Sequence, residues 1–133
     1  MAREILFRGK IGNDWAYGDL RHFKDAVAIF RQGHTFPYMV IPETVGQFTG
    51  LTDKNGVKIF EGDIVKIVRD GDKAPVKWEL GSFILEGLYL DLGEAAIDYQ
   101  LEVIGNIHDN PELIRATGED EGNAAQGGLL SAT

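Results

Sequence analysis

The chain has no cysteine, which excludes disulfides, thiolate nucleophiles, zinc knuckles and iron–sulfur ligation, so the fold must hold by burial and backbone pairing. Its three histidines, His22, His34 and His108, lack the i, i+4 or His-x-His spacing of a metal site, and no metal or cofactor is expected. No apolar run approaches the roughly 18 residues of a membrane span. The opening MAREILFRGK has no uninterrupted hydrophobic stretch and no small-residue cleavage pattern, so a secretory signal is not expected and a cytoplasmic protein is. Basic side chains are also scarce, 13 Lys and Arg against 21 Asp and Glu, and a net charge of -8 argues against an electrostatic grip on nucleic acid.

What charge there is divides unevenly. Residues 1 to 40 hold six basic side chains (Arg3, Arg8, Lys10, Arg21, Lys24, Arg31) against four acidic (Glu4, Asp14, Asp19, Asp25), a net +2, whereas the rest of the chain sums to -10. Opposite signs of this kind can draw one copy's N-terminal region to another copy's body, or can simply be solvated faces.

With 133 residues, 44% of them hydrophobic, the chain has material for one ordinary core. Short alternating runs separated by Gly, Asn and Asp predict strands at Glu4 to Arg8, Trp15 to Leu20, Val27 to Arg31 and Tyr38 to Ile41, the last bounded by Pro37 and Pro42. The Gly12-Asn13-Asp14 cluster predicts a hairpin loop longer than two residues, and Gln32-Gly33-His34 a turn. Leu20, Phe23, Val27 and Phe30 also fit helical spacing, so Asp19 to Arg31 admits a helix as the competing reading. Asn55-Gly56 predicts a type I′ hairpin, and Thr44-Val45-Gly46-Gln47 matches a capping box for a single helical turn. Ile64 to Val68, Val76 to Leu80, Phe83 to Leu90 and Leu101 to Ile107 are the strand runs a small barrel requires. Asn110-Pro111-Glu112 then reads as a helix start with Asn110 at the N-cap. Residues 116–133 are Gly-, Ala- and acid-rich and are expected to be disordered.

Sharper chemical readings are few. Asp70-Gly71-Asp72 falls short of a calcium loop and reads as a solvated turn. Glu61 and Asp63 are the only paired carboxylates worth weighing as an acid and base, but Gly62 between them marks a turn, where a carboxylate more often accepts backbone N–H groups. Ser82 has no nucleophile-elbow context. Trp78, between Lys77 and Glu79, is expected in the core rather than on a stacking platform, and the cations Lys66, Arg69, Lys73 and Lys77 are offset by Asp63, Asp70, Asp72 and Glu79.

Five segments in order, REILFRGK, WAYGDL, TVGQFTGLTDKNGVKIFEGDIV, VKWELGSF and EVIGNIHDNPEL, make the chain resemble the phage- and prophage-encoded YopX proteins of bacteria over about residues 3 to 114. Departures are confined to Lys24 to Thr35, Lys73 and Asp91 to Tyr99. The resemblance implies a mainly β fold with a small barrel in the C-terminal part; with the strand and helix readings above, the expected architecture is an N-terminal hairpin region over residues 1–60, a small SH3-like barrel over 61–115 and one short C-terminal helix. It implies no established enzymatic activity, and a setting in the cytoplasm of a bacterial host. The matching motif positions are Thr44, Gly46, Gln47, Thr49, Gly50, Asp53, Asn55, Gly56, Gly62, Asp63, Trp78, Gly105, Asn106, Asn110 and Pro111, all read as structural.

The expected function is therefore non-enzymatic: a protein-protein interaction or self-assembling module that forms homo-oligomers or binds a phage or host protein. Its candidate interaction surface is Arg8, Lys10, Trp15 and Tyr17 in the hairpin region. The alternative from another class is a nucleic-acid-associated factor in phage replication, resting only on what small barrels often do.

Overall fold

The computed structural model describes residues 4–115, so the expectation of a disordered tail lies outside the described residues. The architecture is mainly β. Strands β1 (Phe7–Ile11), β2 (Asp14–Phe23), β3 (Ala26–Phe30), β4 (Pro37–Thr52) and β5 (Lys58–Phe60) make one antiparallel sheet. Strands β6 (Asp63–Ile67), β7 (Lys73–Glu79), β8 (Ser82–Leu85), β9 (Leu90–Asp91) and β10 (Leu101–Asn106) make a second, in the order β10-β6-β7-β8-β9. Helices α1 (Leu92–Asp98) and α2 (Glu112–Arg115) are short. The 19–31 segment is strand and not helix: Asp19 to Phe23 of β2 pair with Phe30 to Ala26 of β3.

Pairing closes in the first sheet. Besides β2, β1 pairs with β4, so β1-β2-β3-β4 and back to β1 is a continuous ring of hydrogen-bonded strands. Such a ring is narrow, and small residues fill it. Ala16 is buried with Ile29 and Val40, while the larger Trp15 and Tyr17 of the same strand turn outward. A Cβ on Gly9 would lie 2.8 Å from Val40 Cβ, and one on Gly18 would lie 2.1 Å from the Phe30 carbonyl oxygen. Glycine and alanine fill the interior, which has no room for the aromatic rings of β2.

Several local expectations change. The β1–β2 loop is two residues, Gly12-Asn13, with Ile11 opposite Asp14 and Gly12 at φ 61. Pro42 does not end a strand: β4 runs through it, at a register shift where Lys10 faces Ile41 but Arg8 faces Gly46. The expected capping box is part of this bulge. Thr44 Oγ1 accepts the Lys10 N–H at 2.8 Å and donates to the Ile41 carbonyl at 2.6 Å, so it stitches a strand irregularity instead of starting a helix. At Asn55-Gly56 only Gly56 has positive φ, so the turn is not type I′. Helix α1 was not expected; Asp91 caps it, accepting the Glu94 N–H at 3.1 Å. Asn110 is not a side-chain cap, because its Oδ1 accepts from Asn106 N–H at 3.2 Å.

The second sheet carries the larger core, Val65, Ile67, Ala74, Val76, Leu85 and Leu101, which Ile59 of β5 and Leu92 and Ala95 of α1 close. Strand β10 is not an open edge. Asp53 accepts its Val103 N–H, and Lys54 N–H donates to the Leu101 carbonyl. Within the ring, each of β1 to β4 has a hydrogen-bonded partner on both sides.

Candidate functional site

Many of the motif residues, Gly46, Gln47, Gly62 and Asp63 among them, gather where the two sheets meet. Gly46 permits the approach: a Cβ there would lie 2.4 Å from the Glu61 carbonyl oxygen, and Glu61 N–H donates to the Gln47 carbonyl at 2.9 Å. Thr49 Oγ1 donates to the Ile59 carbonyl at 2.8 Å and accepts from Leu51 N–H across the β4–β5 irregularity, where Gly50 takes φ 90. Gly62, at φ 94, donates to the Val76 carbonyl and accepts from Ile107 N–H. These contacts deliver Asp63 beneath β1.

There Asp63 meets Arg8. The guanidinium Nη2 lies 2.8 Å from Asp63 Oδ1 with both side chains nearly fully buried, and the other carboxylate oxygen accepts Phe60 N–H at 2.7 Å. Trp15 and Phe60 flank the cation, with ring centroids 4.4 and 4.9 Å from Arg8 Cζ. Burial pushes the Asp63 carboxyl up from its ordinary value, against the opposing pull of Arg8 and of the Phe60 N–H. Arg8 was expected on an interaction surface, yet it is 5% exposed, because its charge is needed inside the junction.

Lys10 and Trp15 are engaged as well. Asp109 accepts from Lys10 Nζ, from Trp15 Nε1 at 2.9 Å and from Asn106 Nδ2 at 3.1 Å. The Lys10 contact, then those from Trp15 and Asn106, lowers the Asp109 carboxyl to about 2. Asn106 Oδ1 accepts the His108 and Asp109 N–H groups, and a Cβ on Gly105 would lie 2.6 Å from Asn110 Oδ1, which accounts for the spacing Gly105-Asn106 to Asn110-Pro111. Burial lowers the His108 pKa, with Arg8 adding to it, so its ring, 5.9 Å from Trp15, is neutral at pH 7. Tyr17 alone of the expected surface residues is well exposed, with its ring edge-on to Phe60.

Asp53 organises a second node. Its carboxylate accepts from Asn55 N–H at 2.8 Å, Val57 N–H at 2.9 Å and Val103 N–H at 2.9 Å. Burial works to raise its pKa, but these bonds together outweigh it and the net shift is downward.

What this arrangement does chemically is hold two sheets together. Two cations of the N-terminal part, Arg8 and Lys10, are paired with Asp63 and Asp109 of the same chain, so the sign split is satisfied in part within one molecule. Glu61 and Asp63 do not converge on a common point: Asp63 faces Arg8, and Glu61 contributes its backbone carbonyl, 3.5 Å from Arg8 Nη2. Above the pair lies an open cavity of about 540 Å³, bordered by Leu6, Tyr17, Lys58, Phe60 and Asn106 among others. Among the described residues no group of three or more His, Asp or Glu is placed to hold a metal. No helix among them is long and apolar enough to cross a membrane.

Trp78 is not in the core. It is 51% exposed, edge-on to Phe83 at 4.8 Å. The nearby cations face carboxylates: Lys66 with Glu102 at 3.8 Å, Arg69 with Asp70 at 3.0 Å and Lys77 with Glu86 at 3.3 Å.

The fold and its junction define a small two-sheet β protein locked by a buried arginine–aspartate pair. The chain belongs to the YopX family, whose family model, described as YopX protein, matches residues 10–115. A solved structure, protein EF1440 from Enterococcus faecalis, is similar with 27% identity and a TM-score of 0.58, the match covering 85% of this chain and 99% of that one. No curated protein matches.

Proposed function

We propose that this protein is a non-catalytic protein-protein interaction module that self-associates, working in the cytoplasm of a bacterium that carries a phage or prophage. The observation that carries the reading is an apolar outer face on the strand ring. Phe23, Met39 and Ile41 are 42, 51 and 44% exposed, and the pairing of β2, β3 and β4 sets them on adjacent positions around the small Ala26 and Ala28. Arg21, across Ala28 from Met39 and with its guanidinium 5.2 Å from the Phe23 ring, lies within this face, and Asp19, Lys24 and Asp25 are exposed charges of both signs on the same strand and its turn. A second copy laid across it by a two-fold axis would meet like patches and pair unlike charges. This face replaces the expected Arg8, Lys10 and Trp15 surface.

Reading residues 61–115 as a small SH3-like barrel is supported by five short antiparallel strands around one core. The nucleic-acid alternative draws less support, since three of its four cations sit against carboxylates. Size-exclusion chromatography with light scattering at about 100 μM is the test, because a dimer of micromolar dissociation constant is populated there. A dimer that Met39→Lys converts to a folded monomer is the expected result. A wild-type monomer at that concentration overturns the reading.

A further inference from the structure

Leu80 and Tyr89 are the two non-glycine residues with positive φ among the described residues, at 54 and 57, and both are 99% exposed. Leu80 sits with Gly81 between Glu79 and Ser82, which pair across the β7–β8 hairpin. Both central residues of that two-residue turn have positive φ, a geometry that selects Asn, Asp or Gly. A leucine there is strained locally and gains no packing in exchange. Tyr89 repeats the pattern in the β8–β9 connection. The two side chains border one surface cavity of about 360 Å³, together with Glu79, Ser82, Ile84 and Glu86. Strain and full exposure of large apolar groups coincide at one place, as they do where a side chain is held out for a partner.

The surrounding charge says what that partner is. Glu79 and Glu86 line the cavity, Glu86 paired with Lys77 at 3.3 Å, and residues 77–98 hold that one lysine against Glu79, Glu86, Asp91, Glu94 and Asp98, a net -4. We propose that the Leu80–Tyr89 tip docks on a second protein through an apolar groove rimmed by lysine or arginine. Leu80 and Tyr89 enter the groove, and Glu79 meets the rim. The same net negative charge disfavours nucleic acid and anionic lipid. This surface is distinct from the Phe23–Met39–Ile41 face, so it stands whether or not the protein dimerises.

The test uses fluorescence anisotropy of a labelled amphipathic helical peptide of about 18 residues built from Leu and Lys, five turns long, beside a Leu/Glu counterpart and phosphatidylglycerol vesicles. At about 0.15 M salt the Leu/Lys peptide is expected to bind below about 100 μM, and the other two probes are not. The double variant Leu80→Asn, Tyr89→Asn, which keeps every charge, should weaken binding about tenfold or more, as loss of an apolar anchor does. Its thermal midpoint should hold or rise, since Asn accepts positive φ, and Met39→Lys should leave binding intact. The proposal is overturned if the Leu/Lys peptide fails to bind. It is equally overturned if the double variant binds as well as wild type, which is charge adhesion alone, or if the Leu/Glu peptide or the vesicles bind as tightly.

Discussion

Truncating Asp63 to alanine leaves the Arg8 guanidinium charged in a site where only 6% of its side chain reaches water. Two losses combine: the 2.8 Å pair, and the acceptor for Phe60 N–H at 2.7 Å. Breaking a buried pair from one side costs about 3–5 kcal/mol. The stranded N–H alone is worth about 1–3 kcal/mol, and because the two share one carboxylate they do not add in full. An overall loss of about 4 kcal/mol is expected, a large part of the roughly 5–15 kcal/mol that holds a domain folded. With a urea dependence of about 2 kcal/mol per molar, the midpoint falls by about 2 M. The assay is urea unfolding followed by tryptophan fluorescence, Trp15 lying against the Arg8 guanidinium. The companion variant Arg8→Met, Asp63→Leu removes both charges, and should be more stable than Asp63→Ala by at least about 2 kcal/mol, since hydrophobic replacement of a buried pair is often neutral. A loss under about 1 kcal/mol for Asp63→Ala, or a double variant no better than the single one, would refute the claim that an uncompensated buried charge dominates.

Gly46→Ala should destabilise by about 1–3 kcal/mol in the same urea assay, because its Cβ would lie 2.4 Å from a backbone oxygen that cannot rotate away; wild-type stability would show that the sheets separate easily. Asp53→Ala leaves three backbone N–H groups without their acceptor, and should cost about 2–4 kcal/mol. Hydrogen exchange should then accelerate first at Val57 and Val103, and uniform exchange would count against the node. Asp109, lowered to about 2 from 3.8, contributes stability that is complete above pH 4 and fades as the pH falls toward 2. Solvent screening holds it to about 1 kcal/mol, so the gap between wild type and Asp109→Asn should close over that window. A gap that persists unchanged at pH 2 would mean that the Asp109→Asn variant is weakened for reasons other than charge. Asp63 acts in the opposite sense, its raised pKa making its contribution fall as the pH rises above 3.8.

Much of the β framework was legible from residues. Alternation and punctuation located β3 and most of β6, β7 and β10 within a few positions, and the ordered motifs pointed to the family that residues 10–115 match. The candidate surface was not legible. Arg8 and Lys10 look like ordinary exposed cations in REILFRGK, because their partners Asp63 and Asp109 lie 55 and 99 positions along the chain. Helix α1 left one local signal, Asp91 three residues before Glu94 as at an N-cap, too short to stand out beside the strand runs. Leu80 and Tyr89 left none, since positive φ at a leucine or tyrosine contradicts local preference.

By itself the sequence determined the class of structure, through period-two alternation and the turn residues that interrupt it, and it ruled out thiol and disulfide chemistry by composition. The tertiary structure alone decided which side chains are inside. A four-strand ring is too narrow for Trp15 and Tyr17, so Gly9, Ala16 and Gly18 line it, and the displaced aromatic Trp15 covers a buried ion pair. Which residues remain for a partner follows from that packing, because pairing across the sheets consumes Arg8 and Lys10 and leaves Phe23, Met39, Leu80 and Tyr89 facing water.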